Sequence, residues 1–194
     1  HRWCESTPVD FRFAVKAPRS ITHFKKLKNC ESLLQTLVGR LAAFGNRLGP
    51  VLFPLPPRWR CNARRLDDFL AMLPRDAAFA FEFRDSSWHC EEVYALLSAH
   101  RAAFCIFDLD GKQSALETPG DFVYVRLHGP SSAYAGNYRA PVLRTWSGRA
   151  LDWQRENKDV YIYFDNDERA YSAKNARRML RMMRADGESR KIPA

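Results

Sequence analysis

The sequence predicts an α/β fold of the TIM (β/α)8 type, incomplete, with about six strand–helix units. Three observations lead there. Apolar strand-like segments alternate with segments of helical periodicity nearly to the end of the 194 residues. The strands are rich in Phe, Val, Ile and Tyr, as expected of a parallel sheet covered by helices. Each unit takes just over about thirty residues, a rhythm that suits a barrel of about 250 residues and leaves two units unaccounted for. An open doubly wound sheet is the alternative, but no G-x-G-x-x-G turn or P-loop supports it.

The elements follow in order. "FRFAVKAP" is a period-two strand closed by Pro18. After a basic loop, Asn29 is placed to cap a helix on which Leu34, Leu37, Leu41 and Phe44 share one side. "RLGP" stops that helix, and "VLFPLPP" reads as a short buried strand. Asn62 is placed to cap "ARRLDDFLAML", whose Leu66, Phe69, Leu70 and Leu73 keep helical spacing. The strand "AFAFEFR", the helix "EEVYALLSAHR" and the strand "AAFCIFDLD" come next. "GKQSALETPG" is a turn-rich connection, followed by the strand "DFVYVRLHG" and a helix over "LRTWSGRALDWQREN". "DVYIYF" is the last strand and "AYSAKNARRMLRMMRAD" the last helix. One domain over residues 1–194 is expected, with a frayed tail at 187–194.

Composition narrows the class. The chain is 46% hydrophobic and 27% charged, which fits one substantial core rather than a disordered tail. A net charge of +9 favours anionic partners: nucleic acid, phosphorylated small molecules or anionic lipid heads. The five cysteines are widely spaced with no CxxC pair, so reduced thiols and a cytoplasmic setting are expected. No apolar run approaches the roughly 20 residues that span a bilayer. No membrane partner is expected.

The informative side chains fall at strand ends. In "FRFAVKAP", Phe11, Phe13 and Val15 face the helices and leave Lys16 on the opposite face. In "FAFEFR" that opposite pair is Glu82 and Arg84, and in "FVYVRLHG" it is Arg126 and His128. The parity of "DVYIYFDND" is ambiguous: either Tyr163 and Asp165 or Phe164 and Asn166 face the axis. Asp108 ends another strand. Isolated buried charges are costly, so such a set is paired, hydrated or built for a ligand. Each member has a plainer reading: Glu82 with Arg84 or Arg126 as a structural ion pair, His128 as a hydrogen-bonded core residue, Lys16 reaching to water. Repetition of charge on four strands favours a pocket for a polar, anionic ligand. Arg84, Arg126 and Lys16 are then anion clamps, and Glu82 and His128 the acid–base candidates. Trp88 and the loop tyrosines Tyr134 and Tyr138 are placed at the rim, where flat rings stack on a sugar or base. His23 opens a lysine cluster, Lys25, Lys26 and Lys28, near the pocket mouth. A basic face on the last helix reads as solvated surface. No HExxH, clustered Cys/His set or G-x-S-x-G elbow occurs, so no metal is assigned and no cofactor is named.

At these same residues the sequence resembles the domain of unknown function 72, or YecE-like, family. "FRFAVKAPRSITH", "GPVLFPLPP", "FAFEFRDSSW", "DFVYVRLHGP", "YAGNY" and "VYIYFDNDERAYSAKNA" carry the resemblance, in the family's order and over nearly the whole chain. It implies a TIM barrel and leaves the biochemical function open. It also implies functional positions at Lys16, Pro18, His23, Glu82, Arg84, Trp88, Arg126, His128, Gly129, Tyr134, Tyr138, Asn166 and Asn175. Pro54 stands where the family has glutamine, and Asp165-Asn166-Asp167 where it has Asn-Asn-Asp. The resemblance further implies two preceding strand–helix units, so an N-terminally truncated member is expected. The leading expectation is a protein that binds or converts a small phosphorylated or carboxylated, sugar-like compound. A nucleic-acid-binding or repair-like barrel and a non-catalytic ligand sensor are the alternatives.

Overall fold

The computed structural model describes residues 2–189, which fall into two compact units. Of the described residues, the first comprises 2–104 with Glu117–Gly120, the second Cys105–Leu116 with 121–189. From residue 190 onward, the tail expected at 187–194 lies outside the described residues.

The first unit holds the strands β1 (Phe13–Lys16), β2 (Leu48–Pro54) and β3 (Phe79–Glu82) and the beginning of β4 (Ala103–Leu109). Its helices are α1 (Arg2–Glu5), α2 (Glu31–Leu41), α3 (Ala63–Leu70) and α4 (Glu91–Ala99). All strand neighbours in it are parallel: β1 beside β2, β2 beside β3, β3 beside β4. The aromatic residues explain the layering. Phe53 of β2 stacks on Phe81 of β3 with ring centroids 5.1 Å apart, and Phe69 of α3 meets both rings edge-on. All three rings are fully buried, each contributing about 1.5–3 kcal/mol of burial. The odd positions of β3 therefore face the helices, as the alternation predicts.

Asn62 caps α3 by accepting the Arg65 N–H at 2.9 Å. The cap expected of Asn29 is not formed. Asn29 takes a left-handed φ of 50°, and Cys30 is the residue that precedes α2. The loop before it is also more ordered than "basic loop" suggests, because Ser20–Phe24 form a π-helical turn.

The second unit contains the rest of β4 together with β5 (Lys112–Gln113), β6 (Phe122–Leu127), β7 (Asp159–Phe164), α5 (Ala140–Arg155) and α6 (Tyr171–Ser189). β6 lies parallel to β4 and to β7, in register from Phe122 opposite Asp159 to Leu127 opposite Phe164. The short antiparallel β5 was not expected from sequence. Asp110 and Gly111 both take positive φ, and this Asp-Gly turn folds Lys112–Gln113 back on Asp108–Leu109. Helix α5 opens with Pro141 in its first turn and buries Leu143, Trp146, Ala150 and Trp153 at helical spacing.

Candidate functional site

Charged strand ends gather in two places, one in each unit. In the first, the even-numbered face of the sheet carries them. Lys16 is level with Leu52 and Ala80, and Glu82 follows Ala80 two residues on, so Lys16 and Glu82 share a face. Glu82 has no exposed surface, and its Oε1 accepts the Arg84 Nε–H at 2.7 Å. Arg84 retains 21% of its side-chain exposure and Lys16 is exposed, so the cluster opens to solvent. His23 projects from the π-helical turn, its Nδ1 2.8 Å from the hydroxyl of the buried Thr22. Burial holds its imidazole below the ordinary 6.5, and the charges of Arg19, Arg84 and Lys16 push the same way. Three cations thus act on one histidine. π-Helical turns of this kind occur often at functional sites.

The second cluster centres on Asp165. Its Oδ2 accepts the Arg126 guanidinium at 2.5 Å and lies 3.1 Å from Nδ1 of the fully buried His128. This settles the parity of the last strand: Asp165 lies with Arg126 and His128, and Tyr163 stacks on Tyr124 at 5.1 Å. Arginine, carboxylate and imidazole thus form one compact ionic cluster, in which charge on any member acts on the others. Asp108 adds a second carboxyl. Its pKa is raised, chiefly by burial, while the Tyr138 hydroxyl and the nearby His128 moderate the rise. The Tyr138 hydroxyl also accepts the Gly129 N–H at 2.9 Å. Gly129 has φ 132°, and a Cβ there would meet the Ala135 carbonyl oxygen at 2.3 Å, so the turn after His128 requires glycine.

Three expected ligand contacts turn out differently. Trp88 is not at a rim: it is 1% exposed, lies stacked on Phe83 at 4.8 Å, and donates its Nε1–H to the Trp59 carbonyl at 2.6 Å. Tyr138 is fully buried, fastened to Asp108 and Gly129. Asn166, also fully buried, donates to the Gly136 carbonyl at 2.7 Å and to Asn175 Oδ1 at 2.9 Å. Asn175 in turn donates to Asn137 Oδ1 and accepts the Tyr138 N–H. The two asparagines clamp the tyrosine loop. Tyr134 alone of the expected rim aromatics is exposed, at 46%, with its ring edge-on to His128. Sequence reasoning missed Arg19 and Thr22. The first lies three residues beyond Lys16 and the second beside His23, but only the turn geometry brings them to the imidazole. Among the described residues no three His, Cys, Asp or Glu side chains gather as a metal-holding group. No described helix is long and apolar enough to cross a membrane.

Parallel strands joined by helices, with ionic clusters at their carboxyl ends, define the class: an α/β protein with polar strand-end sites. Comparison with known proteins makes this specific. The model of the family described as "Protein of unknown function DUF72" matches residues 1–194, and the chain belongs to that family. The UPF0759 protein YunF of Bacillus subtilis is 24% identical over 94% of this chain and 76% of its own length. The UPF0759 protein YecE of Escherichia coli is 33% identical over 86 residues, 43% of this chain and 31% of its own. A solved DUF72 family structure from Thermotoga maritima superposes with a TM-score of 0.82 at 26% identity, covering 94% of this chain and 77% of that one. Another, from Enterococcus faecalis, reaches 0.82 at 17% identity, over 94% of this chain and 78% of that one, and shares the fold.

Proposed function

We propose that the protein binds a small phosphorylated or carboxylated compound at the carboxyl ends of β1 and β3. The parallel strands and their helices fit a TIM-type barrel, of which this chain supplies six strand–helix units. One observation carries the binding reading: Arg19, Arg84 and Lys16 all depress the His23 imidazole, while the nearby carboxylate of Glu82 is already engaged by Arg84. Positive charge is thus concentrated beside a partly open surface, the condition for anion capture. Lys25, Lys26 and Lys28 in the adjoining loop add steering charge.

Thermal unfolding in sodium phosphate, against sodium chloride of equal ionic strength, tests the binding reading. Phosphate should raise the Tm of the wild-type chain beyond the chloride control, and Lys16→Glu should remove the difference. Lys16 is exposed, so the variant keeps the fold. Equal stabilisation by both salts, or an undiminished phosphate effect in Lys16→Glu, overturns it. Oligonucleotide binding that falls steeply with salt, with no response to phosphate, favours a nucleic-acid ligand instead.

A further inference from the structure

We infer that Cys61 and Cys90 form a reversible intramolecular disulfide, a redox modification site on the first unit. The two residues are far apart in sequence, but their loops are laced together. Trp88 donates its indole N–H to the Trp59 carbonyl at 2.6 Å, and the Cys61 backbone N–H donates to the Ser87 hydroxyl at 2.8 Å. Ser87 is itself pinned by Asp85, which accepts both its N–H and its hydroxyl. Each tryptophan thus precedes by two residues a cysteine on the same side of the lacing. Cys61 leads directly into the cap of α3, and Cys90 occupies the capping position of α4.

The side chains complete the picture. The lacing brings the Cys61 and Cys90 side chains close enough for each to act on the other's ionisation. Both residues are half-buried, open enough for a small reagent, whereas Cys30 and Cys105 are buried. Burial, the neighbouring Cys90 and the charge of Glu92 push the Cys61 thiol up to about 11. Cys61 is therefore held as the thiol at neutral pH, and the first attack is assigned to the Cys90 sulfur at the opening of α4.

The step balances with a low-molecular-weight disulfide as oxidant. The Cys90 thiolate attacks one sulfur of the small disulfide, forming a mixed disulfide and expelling one small thiolate. Cys61 then loses its proton and attacks the Cys90 sulfur, expelling the second small thiolate. The protein dithiol gives up two electrons and two protons, and the small disulfide becomes two thiols. The new bond closes the loop after Arg84 onto the turn before α3.

Oxidised glutathione, added to the folded protein at near-neutral pH and followed by alkylation and tryptic mapping, provides the test. The expected product is an intact chain lighter by two hydrogens. Its peptide Cys61–Arg64 should be joined to Asp85–Arg101, and dithiothreitol should release the two. Cys61→Ser should instead retain glutathione on Cys90. Wild-type protein in which Cys61 and Cys90 remain alkylatable, are capped separately by glutathione, or pair with Cys4 overturns the inference. Because the decisive readout is on the wild-type chain, it does not depend on how the variant folds.

Discussion

Glu82 is a carboxylate with no exposed surface, and its Oε1 holds the Arg84 guanidinium at 2.7 Å. The pair is asymmetric. Arg84 keeps some contact with water, so losing Glu82 lets it turn outward, whereas losing Arg84 strips a partner from a buried charge. Arg84→Ala should therefore cost about 3 kcal/mol. Glu82→Gln, which removes the charge and keeps the shape, should cost clearly less. Urea denaturation of the two variants compares them directly. Asp108 behaves in the opposite sense to an ordinary surface carboxylate. Its folded pKa lies above the 3.8 of the unfolded chain, so the folded form binds the extra proton between those values and stability falls as pH rises through that window. Asp108→Asn should raise the Tm at neutral pH, with the gain disappearing on acidification below the unfolded value. His23 is lowered from 6.5, so there the unfolded chain takes the proton first. Its contribution is full above that value and is lost as the pH falls through it. His23→Gln should accordingly flatten the acid limb of the Tm–pH profile.

At the scale of elements, caps and clamps decide what is ordered. Asn62 supplies the one side-chain hydrogen bond at the start of α3, a helix of eight residues, so Asn62→Ala should lower stability by about 1 kcal/mol. The expected loss is readable as a lower denaturation midpoint with an unchanged slope. Asn166 and Asn175 act between elements, tying the end of β7 and the first turns of α6 to residues 136–138. The strands were legible in the sequence because period-two patterning needs only neighbours: the last strand, Asp159–Phe164, was read with its ends in place. Asn29 as a cap was not formed, because a cap needs extended backbone and this residue sits at positive φ. The hairpin strand β5 went unread although the Asp110-Gly111 turn announces it, since two exposed polar residues carry no strand pattern.

Over the molecule, the charges of the candidate site were more legible than its aromatic residues. Lys16, Glu82 and Arg126 keep in the strand register the parity that the sequence predicts, and Arg84 and His128 follow two residues beyond Glu82 and Arg126. Trp88 and Tyr138 stand in loops, where a ring reads the same whether it faces solvent or core. What buries them are the Trp59 carbonyl and the Gly129 N–H, partners fixed only by the tertiary fold. The net charge of +9 pointed to an anion without saying where. The proposed place is the group of cations around His23, and the imidazole reports on them. A bound anion offsets their charge, so it must raise the His23 pKa. Titration of the His23 ring by NMR, in phosphate and in chloride at equal ionic strength, is the most direct measurement. A saturable rise of its pKa in phosphate, abolished in Lys16→Glu, is the predicted result. An imidazole that titrates identically in the two salts would contradict anion binding at this cluster.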